Sequence, residues 1–445
     1  MGIERVLIAN RGEITQRAIR TIKEMGKKAI VVYSTADKDT SYVHDADASV
    51  CIGDVKSADS YLNIPAIISA AEISGADAIF PGYGFLSENQ NFVEICGHHD
   101  IKFIGPSVEV MQKMADKSQA KDEMRKAGVP VIEGSEGLLK NVTHAKEEAV
   151  KIGYPVIIKA SAGGGGRGMR VVEQEGDLEK LFLACESEAL GAFGDGSLYM
   201  EKFIKNPRHI EVQVIGDSHG NAIHVGERDC SMQRRHQKLI EESPAILLDD
   251  AQRKNLHETA VKATKHLKYE GAGTFEFLVD ADKNFYFMEM NTRLQVEHTV
   301  SEEVSGLDII ELMIRVAEGE KLPAQEEINL QGHAIECRIT AEDPKKFFPS
   351  AGKITSWITP GGRNVRLDSH AHANYTVPTH YDSMIGKLIV WGKDRDEAIR
   401  RMDRALSEFR VEGIRTTIPF HIEMMRNKDF QTNNFDTKYL ENYGG

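Results

Sequence analysis

Two glutamates set the first chemical question. Thr274 to Val279 and Phe285 to Met290 read as short strands joined by the polar turn Asp280 to Asn284, which makes a hairpin. With the register centred on that turn, Glu276 falls opposite Met288 or Glu289, and the two-residue period of a strand puts Glu289 and Asn291 on one face. Two bare carboxylates about 4 Å apart repel by roughly 4 kcal/mol at an effective dielectric near 20, so a positive group belongs between them. Mg²⁺, a hard cation that prefers oxygen ligands, fits that place. Carboxylates paired with nearby arginines on a solvated face are the competing reading.

Arg293, Leu294, Gln295, Val296, Glu297 and His298 follow directly. An arginine binds a planar oxyanion through two N–H groups, a glutamine adds a donor and a glutamate takes a proton, so the run has what is needed to hold and deprotonate a small oxyanion. His298 by itself is read as a packed or capping residue and receives no role. A third feature is the apolar run Val156 to Ala160, which carries Lys159 and leads into Ser161, Ala162, Gly163 to Gly166, Arg167 and Gly168, with a second strand from Arg170 to Val172. Glycines let backbone N–H groups wrap phosphate oxygens while Lys159 supplies a cation. Because the loop lies between strands and not before a helix it is no Walker P-loop, and a flexible hairpin linker is the alternative. The charged stretch Glu227 to Lys238 reads as a loop on a solvated face, with Gln233, His236 and Lys238 able to bind an anion only if it folds over a cleft.

These groups need a scaffold. Short apolar runs at Val6 to Ala9, Ile30 to Tyr33, Val50 to Ile52 and Ala78 to Phe80 alternate with helical patterns, the spacing of a parallel α/β sheet. Arg11, Gly12 and Glu13 stand where a dinucleotide fold carries GxGxxG, and with only Gly12 present a Rossmann NAD site is not expected. We divide the chain into an N-terminal α/β domain over 1–113, a second domain over 114–330 whose part from about 130 to 203 could move as a lid, and a mixed α/β domain over 331–445 with strands at Ala334 to Ile339 and Lys387 to Trp391 and a helix over Glu397 to Phe409. The 55 basic residues against 68 acidic give a net charge of −13, which opposes general attraction to nucleic acid or anionic lipid. Five cysteines without a CxxC pair argue against a disulfide framework or structural zinc, and the absence of a signal or membrane-spanning run makes a cytoplasmic location the expectation.

Taken together, Ile8 to Glu13, Pro81 to Glu88, the glycine loop, Arg228 to Lys238, Glu289 to His298 and Tyr381 to Lys387 resemble the biotin carboxylase family over essentially the whole chain. The resemblance implies an ATP-grasp ligase with a mobile lid, using MgATP (two Mg²⁺ or Mn²⁺), bicarbonate and carrier-bound biotin. It assigns ATP contacts to Lys117, Lys159, Gly164, Gly165, Gly166, Met169, Glu201, Lys202, Phe203, Ile204, His209, Gln233, His236, Glu276, Leu278 and Glu289. It gives magnesium to Glu276, Glu289 and Asn291, bicarbonate to Lys238, Arg293, Gln295 and Val296, the base to Glu297, and biotin to Tyr83 and Arg338. Read without the resemblance, Arg338 in its β run would pass for a surface ion-pair residue. Three positions depart from the family pattern: Ala162 replaces a loop glycine, Thr299 stands where proline is frequent, and His380 where an aromatic is usual.

The implied partners are a biotin carboxyl carrier protein, carboxyltransferase subunits and a second copy of the chain, because the sequence to Gly445 carries no Met-Lys-Met motif. Its layout is most like the bacterial acetyl-CoA carboxylase component. A two-subunit pyruvate or 2-oxoacid carboxylase uses a nearly identical subunit, another ATP-grasp ligase shares the lid and metal pair, and a silent nucleotide-binding scaffold is the non-enzymatic alternative.

Overall fold

The computed structural model describes residues 2–161 and 168–441. The chain forms two compact units, one of residues 1–129, 208–277 and 289–445, the other of 130–207 and 278–288. Gly164, Gly165 and Gly166 of the glycine loop, expected to contact ATP, and the departure at Ala162 fall outside the described residues.

In the first unit the apolar runs near the N-terminus become a five-stranded parallel sheet, ordered Ala48–Gly53, Lys28–Ser34, Arg5–Ile8, Ala78–Phe80, Lys102–Phe103. Strands buried on both faces must be apolar throughout, which is why Val6, Leu7, Ile8, Ile30, Val31, Val32, Ile79 and Phe80 are all buried. The order reverses between Arg5–Ile8 and Ala78–Phe80, the point where such sheets open a crevice beyond their carboxyl ends. Asn10 and the Pro81 to Glu88 segment occupy it, with the Asn10 amide donating to the carbonyls of Pro81 at 2.7 Å and Tyr83 at 2.8 Å.

An eight-stranded sheet follows, ordered Phe285–Asn291, Gly271–Val279, Arg208–Gly216, Ala222–Arg234, Gln237–Ser243, His333–Thr340, Met384–Gly392, Val365–Ser369. It runs without a break across the boundary expected near residue 330. The charged stretch Glu227 to Lys238, expected as a solvated loop, is instead mostly strand, turning at Arg235 and His236 with φ of 50° and 65°. Composition misled because burial of charge is tolerated where every charge is paired and hydrogen-bonded. The helix expected over Glu397 to Phe409 spans Arg395–Glu408, started by the Asp394 carboxylate accepting from the Glu397 N–H.

The second unit has a three-stranded sheet in which Val156–Ala160 pairs antiparallel with both Met169–Val172 and Leu198–Lys202. Helices Val142–Ile152 and Glu175–Phe193 cover it, and Ala145, Ala149, Leu178, Phe182 and Cys185 close its core over Val156 and Ile158.

Candidate active site

Sequence alternation builds the centre of the site. In Arg208–Gly216 the apolar Ile210, Val212 and Val214 alternate with His209, Glu211 and Gln213, so three polar side chains share one face of a buried strand. Arg228 lies directly across from Glu211 in the neighbouring strand. Its guanidinium, fully buried, donates to Glu211 at 2.5 Å, Gln213 at 2.8 Å, Ser301 at 2.9 Å, and Thr274 and Gln295 both at 3.1 Å. All three nitrogens of the fork are engaged, so this cation is part of the frame.

Lys238 forms the bridge. Its ammonium donates to Glu211 at 2.5 Å, Glu276 at 2.9 Å and Glu297 at 2.6 Å. Glu297 holds Arg338 with its other oxygen at 3.0 Å, and Arg338 Nε donates to Glu241 at 2.6 Å. Arg338 is thus no surface ion-pair residue but a part-buried cation between two buried carboxyls. Burial alone would raise the Glu297 carboxyl, yet Lys238, Arg338 and Arg228 outweigh it and hold it well below the ordinary carboxylate range. Burial likewise works against Lys238, and Glu211, Glu276 and Glu297 reverse the sign and raise it. Glu297 is therefore ionised, with its basicity tied up in the two cations.

The segment after the hairpin is shaped by three anchors: Leu294 in the hydrophobic core, the Lys387 ammonium on the Val296 carbonyl at 2.6 Å, and the His298 ring on the Gln295 carbonyl at 2.8 Å. These deliver Gln295, whose amide donates to Glu276 at 2.7 Å, and Glu297 to the cluster. Arg293 points elsewhere, pairing with Glu88 at 3.1 Å and the Asn291 oxygen at 3.0 Å, and among the described residues it is linked to Lys238 through Asn291 and Glu276. The Tyr83 hydroxyl donates to Glu13, which pairs with Lys387 at 3.3 Å.

Glu276 accepts from Lys238, Asn291 and Gln295 and lies 3.0 Å from His209. Among the described residues Glu289 has no such share. Burial and then the Glu276 charge push its carboxyl up, with Lys117, His209 and Lys238 only partly opposing them. A hard divalent cation would relieve both causes, so Glu276 and Glu289 fit magnesium. Asn291 gives its nitrogen to Glu276 and its oxygen accepts from Arg293, so ligation through Asn291 requires the amide to turn.

Among the remaining expected residues, Gln233 is buried directly across from Lys238, while His236 is exposed at the hairpin turn and Lys117 is exposed at the start of the helix Lys117–Ala127. Leu278 is half-buried in Gly271–Val279. In the second unit Lys159 and Glu201 meet at 2.5 Å, Met169 opens the strand across from Lys159, the Lys202 ammonium caps the carbonyls of Gly153 and Tyr154, and Phe203 and Ile204 follow that strand. Sequence reading missed Glu211 and Glu241, and it quoted Glu13, Arg228 and Lys387 without giving them a role. The alternation of His209, Glu211 and Gln213 with apolar residues was the available signal for the first.

Comparison with known proteins agrees along the chain. Residues 2–111 match the biotin carboxylase N-terminal domain, 116–325 the carbamoyl-phosphate synthase L chain ATP-binding domain, and 336–442 the biotin carboxylase C-terminal domain. The biotin carboxylase of Nostoc is 54% identical over 443 residues, covering 99% of both chains. A crystal structure of a Campylobacter jejuni biotin carboxylase complex with β,γ-ATP is 69% identical with a TM-score of 0.93, again over 99% of each chain. The biotin carboxylase domain dimer of Hydrogenobacter thermophilus 2-oxoglutarate carboxylase, solved with MgADP, ADP and bicarbonate, is 47% identical with a TM-score of 0.90, over 99% of this chain and 98% of that one. The chain belongs to the biotin carboxylase family of ATP-dependent ligases.

Proposed function

We propose that the chain carboxylates biotin on a separate carrier protein at the expense of MgATP and bicarbonate, as the first half-reaction of an acetyl-CoA carboxylase, working in the cytoplasm as a dimer with carboxyltransferase subunits. The observation that carries this reading is one ammonium, Lys238, bridging Glu211, Glu276 and Glu297 while Arg338 holds the far oxygen of Glu297. A base for the oxyanion, a cation for its charge, a metal-side carboxylate and a cation for the acceptor are then contiguous.

In this reading Lys238, Gln295, the Val296 backbone and a reoriented Arg293 bind bicarbonate. As the incoming anion takes over Lys238, Glu297 regains basicity and removes the bicarbonate proton. A bicarbonate oxygen attacks the γ-phosphorus and ADP leaves, giving carboxyphosphate. This breaks to carbon dioxide and phosphate, the phosphate takes the biotin N1 proton, and N1 attacks carbon dioxide. Arg338 faces the oxygen on which enolate charge develops, with Tyr83 beside the biotin ring. Bound magnesium, held by Glu276, Glu289 and Asn291, would offset charge on the ATP phosphates. Lys117, Lys159, the glycine loop with Met169, Glu201 to Ile204, His209, Gln233, His236 and Leu278 serve the nucleotide.

The alternative final acceptor is a 2-oxoacid, favoured by the 47% identity to the domain from 2-oxoglutarate carboxylase. Phosphate release from MgATP and bicarbonate, with and without free biotin, tests the half-reaction. Release that requires both bicarbonate and biotin supports it, and release indifferent to biotin points to another ATP-grasp ligase. Carrier pulldown separates acetyl-CoA from 2-oxoacid carboxylase.

A further inference from the structure

Behind Arg338 lies a pair of carboxyls that the reaction above does not use. Glu241 and Glu336 are direct partners across adjacent antiparallel strands, so their side chains leave the same face of the sheet. Both are fully buried. Glu241 Oε1 accepts from Arg338, and Glu336 Oε2 accepts from the Thr299 hydroxyl. The remaining oxygens, Glu241 Oε2 and Glu336 Oε1, are buried without a hydrogen-bond partner among the described residues. Two ionised carboxylates opposed in this way repel, and two orphaned anionic oxygens in a dry interior carry a large desolvation cost. A single proton on the pair removes the repulsion between two anions and one of the two buried charges.

We propose that Glu241 and Glu336 hold one proton between them, that Thr299 fixes Glu336 for this purpose, and that the singly charged pair positions Arg338 for the biotin step. This rests on the reading of Arg338 as the residue facing biotin. The groups around the pair agree with it. Arg338 and Lys238 face Glu241 with Glu297 opposing them, while Lys387 and Arg338 face Glu336. Lys387 is itself shared with Glu13 and Asp368, so it does not neutralise Glu336 alone. Burial raises Glu241 to about 7 and Glu336 to about 8, a pair whose last proton leaves in the mildly alkaline range. When it leaves, the second negative charge draws Arg338 toward the pair and away from Glu297 and the acceptor. Thr299 and Glu336 are positioning residues, acting through Glu241.

The test is the pH profile of biotin-dependent turnover with free biotin, MgATP and bicarbonate. The wild-type chain should lose turnover on the alkaline side with a midpoint near pH 8. In Glu336→Gln an amide permanently supplies the donor, so that limb should move up by at least about one pH unit or vanish. Thr299→Val, nearly the same shape without the hydroxyl, should lower biotin-dependent kcat roughly tenfold, short of the hundredfold that a 1 Å misplacement can cost, and Thr299→Ser should restore it. An alkaline limb at the same pH in wild type and Glu336→Gln overturns the shared proton while leaving the biotin reading intact. No biotin-dependent turnover in the wild type overturns both.

Discussion

Glu241 and Glu242 are neighbours on one strand, both buried, and they face opposite sides of it with opposite results. Glu242 meets Arg395 through both its oxygens, at 2.6 and 3.2 Å, and the His333 ring at 2.8 Å, and against the upward push of burial these partners pull its carboxyl down to about 2. Glu241 shares one arginine with Glu297, keeps one oxygen unbonded among the described residues, and is raised by burial to about 7. The same burial thus gives a fixed anion on one face and a titratable group on the other, and the difference lies in how many carboxylates each cation serves. On the Glu242 side the charges are matched and serve structure. On the Glu241 side carboxyls outnumber the cations that reach them, and that shortfall is where protons and ligands can enter.

The largest effect should come from the side with the shortfall. Glu297→Gln removes the base and keeps its size, so bicarbonate-dependent phosphate release should fall by about 10² to 10⁴. Retention of full turnover in that variant would remove Glu297 from the mechanism.

On the matched side the loss should appear in stability. Arg395→Ala leaves Glu242 buried without its bidentate partner, and breaking one member of a buried pair costs about 3–5 kcal/mol. The denaturant midpoint should fall accordingly while turnover per folded molecule is kept. Parallel losses of stability and turnover would show that the two faces are not independent.

Much of this contrast was legible in the sequence and some was not. The Glu276 and Glu289 hairpin and the run to Glu297 were readable because period and turn chemistry are local. The stretch from Glu227 to Lys238 was misread as solvated because composition does not reveal that Glu211 and Gln213, brought across by the neighbouring strand, absorb Arg228. The surroundings of Arg338 were illegible for the same reason, and its role came from the resemblance alone, since Glu241 reaches it from a neighbouring strand and Glu297 from the segment after the hairpin. Pairing across strands is a property of topology, and a single sequence does not state it.

Acid should expose the matched face next. Glu242 has a folded value of about 2 against an ordinary 4.5, so the unfolded chain binds its proton first as pH falls. Its stabilisation, of the order of 3 kcal/mol, is complete above about pH 5 and is lost as pH falls through the range from 4.5 to about 2. Denaturant midpoints measured from pH 6 to pH 3 should show this slope in the wild type and a shallower one in Arg395→Ala. Equal slopes would assign acid sensitivity to other carboxylates.

The smallest expected effect returns to the side with the shortfall. Glu289 resembles Glu241 in being raised by burial, but its second cause is a carboxylate neighbour, Glu276, whose cation Lys238 is already engaged with Glu211 and Glu297. If magnesium is the missing positive charge, Glu289→Gln removes both a ligand and the repulsion that the metal would relieve, so the two effects partly cancel. The magnesium concentration for half-maximal nucleotide binding should then rise about tenfold, at the low end of the range for perturbed metal sites, and not by orders of magnitude. An unchanged magnesium titration would mean that Glu289 is simply a buried acid.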